Sequence, residues 1–266
     1  MNIQLITMWY NEEFLAPFFL NHYSWVDTIH IILDADTDDA TESIARQYPN
    51  VQIHRFSFPD MMDDIIKSSV ISQQYAFIRN ADYVIIVDSD EFIFPFDLST
   101  TVRDHLQLMP NDIYFVNLWQ IYKHENDLPL DSSVPVFLQR RHGDPDMERP
   151  DNIGYLKPIV LRGGLNLFWG IGNHYVVYQG LKLEWDARHR VPEIPLTVAI
   201  DKQGMLQGAH WRLVDLDETI KRRIRHRRDR QSSVNLDRGL TAQYHGITEA
   251  EIVAEYERHK HDPIVI

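Results

Sequence analysis

Residues 83–94 read Tyr-Val-Ile-Ile-Val-Asp-Ser-Asp-Glu-Phe-Ile-Phe, an uncharged run that ends in three acids and then turns apolar again. Acids at the end of a buried strand carry a desolvation cost that something must offset. Hard carboxylate oxygens at alternate positions, Asp88 and Asp90, suit Mn2+ or Mg2+. The pattern predicts a divalent metal site at the carboxyl end of a central strand, the end at which open α/β sheets hold their ligands. An acidic turn closing the strand would account for the same residues without a ligand. A second acidic group, Asp34-Ala-Asp36-Thr-Asp38-Asp39-Ala-Thr41, follows another strand-like segment. It is not an EF-hand, because Asp39 and Ala45 stand where Gly and Glu are needed. Asp38 or Asp39 can cap the following helix. Asp34, at a strand end, is placed to meet the base or ribose of a nucleoside.

These acids require a framework, and the first ninety residues supply one by alternation. Strand-like segments at Ile3–Trp9, Thr28–Leu33, Val51–Phe56 and Tyr83–Val87 are separated by helical spacing in Phe14–His22, Thr41–Tyr48 and Asp63–Asn80. Such a β-α-β order predicts a parallel sheet with helical crossovers. After Pro95 the pattern changes: a short helix over Thr101–Met109, an aromatic strand over Ile113–Tyr122, and a long loop over 124–152. Residues 155–200 read as β-like segments with glycine turns. Helices follow over Asp215–Arg230 and Thr248–Lys260, and Thr248 with Glu251 forms a capping box.

The bulk properties narrow the function. A formal net charge of −13 over 266 residues argues against a nucleic-acid partner, whose footprint should be basic. The chain has no cysteine, so thiolate metal sites and disulfides are excluded. The start of the chain lacks a signal-peptide pattern and no apolar run is long enough to span a bilayer, so a cytoplasmic location is expected. Lys221–Arg230 packs seven basic residues and one Asp into ten. A solvated helix, a grip on an anionic ligand, and peripheral contact with an anionic membrane all fit that run.

Three segments together carry a family resemblance. Met8-Trp-Tyr-Asn11-Glu12-Glu13-Phe-Leu15 with Phe19-Leu-Asn-His22-Tyr23, then Leu33-Asp34-Ala-Asp36-Thr-Asp38-Asp39-Ala-Thr41, then Val87-Asp88-Ser-Asp90-Glu91-Phe92 resemble, in order and spacing, the motifs of a branch of glycosyltransferase family 2. Asp36 and Ala40 depart from that branch, which has a small residue or Asn and a Gly there. The resemblance implies a GT-A fold, an α/β class with a mostly parallel central sheet flanked by helices. It also implies a nucleotide-sugar donor, a UDP-sugar foremost, a glycan or other hydroxyl acceptor, and Mn2+ or Mg2+. Residues 1–212 would form the catalytic domain, with 1–96 binding the donor and 97–212 the acceptor, and 213–266 a helical extension.

Carried onto this chain, Asp88 and Asp90 would orient the metal and His210, in Gly208-Ala-His210-Trp211-Arg212, would complete its shell. Asp34 with the backbone near Met8 and Trp9 would hold the nucleoside, while Asn11, Glu12 and Glu13 would cap the first helix and frame the pocket. Lys157 and Arg162, in a segment similar to that branch's Lys-x-Ile-x-Arg strand, would meet the diphosphate. His174 is a weaker match to a later histidine segment. Trp119 and Tyr122 would stack on an acceptor sugar. An inverting transfer needs a carboxylate base; Asp144, Asp146, Glu148 and Asp151 lie in the long loop, and Asp151 is the choice among them. Three rivals stand beside this reading. A haloacid-dehalogenase-type phosphatase would want Thr or Val where Phe92 stands. A nucleotidyltransferase would want a glycine-rich basic loop where Trp9–Glu13 stands. The third is a non-catalytic sugar-binding or scaffold protein.

Overall fold

The structure, a computed structural model, describes residues 1–144, 156–184, 194–199, 206–240 and 242–266. Its first part runs β1 (Ile3–Trp9), α1 (Ala16–His22), β2 (Thr28–Asp34), α2 (Thr41–Ala45), β3 (Val51–Phe56), α3 (Asp64–Ile78) and β4 (Tyr83–Ile86). β1 pairs in parallel with β2 on one side and with β4 on the other, and β2 pairs in parallel with β3. Both faces of this half-sheet are covered. Ile3, Leu5 and Trp9 join a core with Phe18 and Phe19 of α1, and Ile6 joins Ile32, Ile86, Ile71 and Tyr75 in a second core under α3. Burial on both faces is why β4 reads as a continuous apolar run rather than an alternating one.

The chain then adds β5 (Glu91–Phe94), α4 (Val102–Leu108), β6 (Ile113–Tyr122), α5 (Val136–Gln139) and β7 (Leu156–Arg162). β7 runs antiparallel to both β4 and β6. β8 (Leu167–Trp169), β9 (Val176–Tyr178) and β10 (Leu181–Leu183) form a separate small sheet. β11 (Val198–Ala199) and β12 (Leu206–Leu213) return to β6 in parallel, and β5 closes the edge antiparallel to β12. Among the described residues the main sheet therefore runs β3-β2-β1-β4-β7-β6-β12-β5. The molecule is α/β, with parallel pairs in the majority within the main sheet and helices on its faces.

One expectation is corrected here. The segment after Tyr122 is not one structureless loop: α5 lies within it, and isolated bridges Ile121–Gly143 and His142–Ile264 tie down His142 and Gly143. The basic helix forms over the expected span but changes its winding, running as α6 (Leu216–Lys221), a π-helical segment at Arg222–Arg227 and a 3-10 turn at Arg228–Arg230. The carboxy-terminal helices pack on the rest of the chain. After α7 (Ser233–Asp237), α8 (Glu249–His259) buries Ile252 against Tyr122 and Leu213. Asn235, fully buried, bonds to Asp64 N at 3.1 Å and Asp64 Oδ2 at 2.9 Å, tying α7 to the start of α3. The capping box of α8 forms as the sequence predicts.

Candidate active site

The chain moves from β1 outward to β2 and β3, then returns to the other side of β1 as β4. That reversal leaves a crevice at the carboxyl ends of β1 and β4, the place where open α/β sheets bind ligands. Tyr10 and Glu12 border it after β1 and Asp34 at the end of β2, while Asp90, after β4, lines a neighbouring cavity. An open cleft of about 470 Å3 lies there, lined by Met8, Trp9, Tyr10, Glu12, Asp34 and Lys67 with Arg222, His226, Arg227 and Arg230.

The desolvation argument from the sequence holds, but side-chain cations supply compensation. Lys67 of α3 reaches Asp88 Oδ1 at 2.8 Å, and Lys157 of β7 stands 3.6 Å from Asp88 Oδ2 while ion-pairing with Glu91. Burial would raise the Asp88 pKa, yet the two lysines hold it well below the carboxylate range. Glu91 is 1% exposed, and burial together with Asp88 and Asp90 pushes its pKa up to about 7 against the pull of Lys157. Arg222 donates to Asp90 Oδ2 at 3.1 Å, to Glu12 Oε1 at 3.1 Å and to Ser89 Oγ at 3.2 Å. Burial again works to raise the Asp90 pKa, and Arg222 outweighs it, bringing the value down to about 2. Arg230 bonds Asp34 Oδ2 at 2.9 Å and lies 3.5 Å over the Tyr10 ring.

Register explains how His210 meets Asp90. The antiparallel pairing of β12 with β5 sets His210 beside Glu91, and Trp211 N donates to Asp90 O at 2.8 Å. His210 Nε2 then lies 3.8 Å from Asp90 Oδ2. On its other side Nδ1 donates to Gln120 Oε1 at 2.9 Å, Gln120 being its register neighbour on β6. Burial lowers the His210 pKa to about 3, favouring a neutral ring with its proton on Nδ1. That is the tautomer of a metal-binding histidine oriented by a carbonyl behind it.

Asp90 and His210 therefore fit as a two-donor set for a hard divalent ion whose remaining positions are water and phosphate oxygens. The Asp88 carboxylate lies against Lys67 and Lys157, just as Asp90 Oδ2 accepts from Arg222, and Asp88 does not approach His210 as Asp90 does. Among the described residues no three His, Asp or Glu side chains converge on a point that could hold a metal.

The other residues singled out from sequence divide clearly. Met8, Trp9 and Asp34 border the cleft, although Trp9 buries its ring against Phe19. Asn11 and Glu13 do not border it, nor do they cap α1, which has no side-chain cap. Asn11 exchanges bonds with the second acidic loop, donating to Asp38 Oδ1 at 2.6 Å and accepting from Asp38 N at 3.0 Å. Glu13 accepts from Ala40 N at 3.2 Å and pairs with Lys221. Both residues thus clamp the first loop to the second. Arg162 is corrected outright. Antiparallel pairing sets it opposite Tyr83, at the amino end of β4, where it is 58% exposed and 3.5 Å from Asp112. Five residues of strand separate it from Lys157, roughly 16 Å. Tyr122 stacks on His259 at 3.9 Å beneath α8, and Trp119 donates to Gln207 Oε1 at 3.2 Å. His174 follows the short turn Ile171–Asn173 between β8 and β9. Asp144 is buried, and Asp146, Glu148 and Asp151 lie outside the described residues.

Sequence reasoning did not assign Lys67 or Gln120 to the site, and it offered Arg222, Arg227 and Arg230 only collectively, as part of a run that could grip an anionic ligand. Lys67 had a signal: it shares helical spacing with the buried Ile71, Tyr75 and Ile78 of α3, and a lysine on an inward face needs a partner. The three arginines had only the composition of that run.

No family model matches the chain, and no curated protein matches it. Among solved structures, 4-diphosphocytidyl-2C-methyl-D-erythritol synthase aligns at a TM-score of 0.32 and 10% identity, over 50% of this chain and 70% of that one. Glucosyl-3-phosphoglycerate synthase from Mycobacterium tuberculosis, in complex with Mn2+, UDP-glucose and phosphoglyceric acid, aligns at 0.30 and 20% identity, over 46% of this chain and 44% of that one. The same synthase with UDP alone aligns at 0.30 over 47% and 45%. This chain thus spans less than half of that synthase's length. Likeness at this level does not extend to function, and the α/β class rests on the chain's own sheet.

Proposed function

We propose that the chain is a GT-A-type glycosyltransferase that moves a sugar from a nucleoside-diphosphate sugar, a UDP-sugar foremost, to a hydroxyl acceptor. The observation that carries the reading is that Asp34 lines a cleft at the reversal point of the sheet while Asp90 and His210 line a neighbouring cavity, the two sharing Arg222 and Arg227. Asp34 and the main chain at Met8 and Trp9 would hold the nucleoside. Asp90 and His210 would hold Mn2+ or Mg2+, which would take up charge on the departing diphosphate. Lys67 and Lys157 keep Asp88 ionised and fixed, and Asn11 and Glu13 brace the loops that shape the pocket. Asp151 remains the proposed base for the acceptor hydroxyl.

One observation weighs against the nucleotidyltransferase alternative. Such enzymes cradle a triphosphate on free amides after the first strand. Here the amide of Glu12 is spent on Thr41 Oγ1 at 2.7 Å and that of Glu13 on Asp39 Oδ2 at 3.1 Å. Calorimetry of the chain with UDP in Mn2+ and in EDTA tests the proposal. Binding that tightens at least about tenfold with metal is expected of a two-donor site completed by the diphosphate. Absence of binding by any nucleoside diphosphate, with metal or without, would remove the proposal. Among the described residues no helix is long and apolar enough to cross a membrane, and five arginines of the basic run (Arg222, Arg223, Arg227, Arg228 and Arg230) are at least partly buried rather than fully exposed.

A further inference from the structure

We infer that Arg227 is a receptor for the donor's diphosphate and binds that anion without a divalent metal; the inference rests on the nucleotide-sugar reading above. Charge pairing around the site singles this residue out. Lys67 is paired with Asp88, Lys157 with Glu91, Arg222 with Glu12 and Asp90, Arg230 with Asp34, and Lys221 with Glu13. Arg212 and Arg223 share Glu255. The half-buried Arg227 is the exception, its guanidinium donating no hydrogen bond to any described residue. It feels Tyr244, Asp88 and Asp90 only through their field. A half-buried guanidinium whose donors meet no acceptor among the described residues and border two cavities is placed to receive an anion.

Its position fits a diphosphate. Arg227 lines the nucleoside-side cleft with Asp34 and Tyr10, and also a second cavity of about 340 Å3 with Asp90 and His210. A group reaching from one cavity to the other passes this side chain. Backbone geometry puts it there. On an α-helix, residues five apart point about 140° from one another. The π-helical segment at Arg222–Arg227 stacks such residues by its i to i+5 bonding, and both arginines border both cavities. The planar fork of Arg227 can then take two phosphate oxygens at once.

The test is titration of the full chain in EDTA with UMP, UDP and inorganic pyrophosphate, for the wild type, Arg227→Gln and Arg227→Lys, with melting temperatures alongside. The wild type is expected to prefer UDP over UMP by about tenfold or more, the order of one charge-assisted bidentate contact. Arg227→Gln should abolish that preference and pyrophosphate binding while leaving UMP affinity in place. Arg227→Lys, which keeps the charge and loses the fork, should fall between them and carries the comparison if the glutamine variant does not fold. Equal UDP and UMP affinities in the EDTA-treated wild type, or a preference that survives Arg227→Gln, would overturn the inference. UDP binding seen only with Mn2+ overturns it too, yet leaves the proposed function standing. Failure of every nucleoside diphosphate, with Mn2+ or EDTA, ends both.

Discussion

Removing Arg222 tests whether a protein cation offsets the strand-end acids. Arg222 and Asp90 are 16% and 14% exposed, and Arg222 also serves Glu12 at 7%, so Arg222→Ala leaves two largely buried carboxylates without their main partner. In the intact protein the Asp90 pKa is drawn from 3.8 to about 2, which corresponds to roughly 2 kcal/mol of differential stabilisation. Losing one member of a buried pair costs about 3–5 kcal/mol. Residual exposure favours the lower end, so about 3 kcal/mol is expected, a fall in Tm of roughly 6–10 °C for a chain of this size.

The pH dependence has a definite sign. With its pKa depressed, Asp90 stabilises the wild type at all pH above its unfolded value and loses that contribution only as pH falls from about 4 toward 2. In the variant burial dominates, so the Asp90 pKa rises above its unfolded value, and the cost grows as pH climbs through the raised value. Acidification from about pH 7 to 5 should therefore narrow the gap between variant and wild type. Thermal melts followed by circular dichroism at both pH values measure this. A Tm within about 1 °C of wild type at neutral pH, or a gap that widens on acidification, would refute the reasoning.

Other substitutions examine separate parts of the site. Asp90→Asn should cost at least about tenfold in the metal-dependent component of UDP affinity, by removing the harder of two donors; titration with Mn2+ measures it, and an unchanged metal increment would take Asp90 out of the role. Arg162→Ala should leave UDP affinity within about twofold, because its ion-pair partner among the described residues, Asp112, lies with it at the rim away from the acids and an exposed pair contributes about 0–1 kcal/mol. Asn235→Ala should destabilise by about 2–4 kcal/mol, since it strips partners from buried groups of α3 and of Met62; a melt unchanged from wild type would mean that α7 does not hold α3 in place.

Much of this molecule is legible along the chain. β1 to β4 and the helices between them follow from apolar runs and helical spacing, because a strand buried on both faces has few other ways to appear. The acids at 34, 88 and 90 stand at strand ends, and the strand order makes those ends neighbours. The capping box at Thr248 is local and forms as expected. Where the reading fell short, distance along the chain is the common cause. Arg162 and Lys157 look equivalent in one strand, and only the antiparallel pairing of β7 sends one to the acids and the other to the opposite rim. Glu13 and Asn11 look like helix caps until the loop from Asp34 folds back on them.

The acids at the strand end must be compensated, and that much is physical necessity readable from Tyr83 to Phe94 alone. Which charges do so is a tertiary matter. Arg222 lies 132 residues from Asp90 and Arg230 lies 196 from Asp34. A local pattern encodes the desolvation problem, because burial and charge sit side by side in the sequence. Its solution depends on where the carboxy-terminal turns come to rest, and the register of β12 and the π-helical segment decide that.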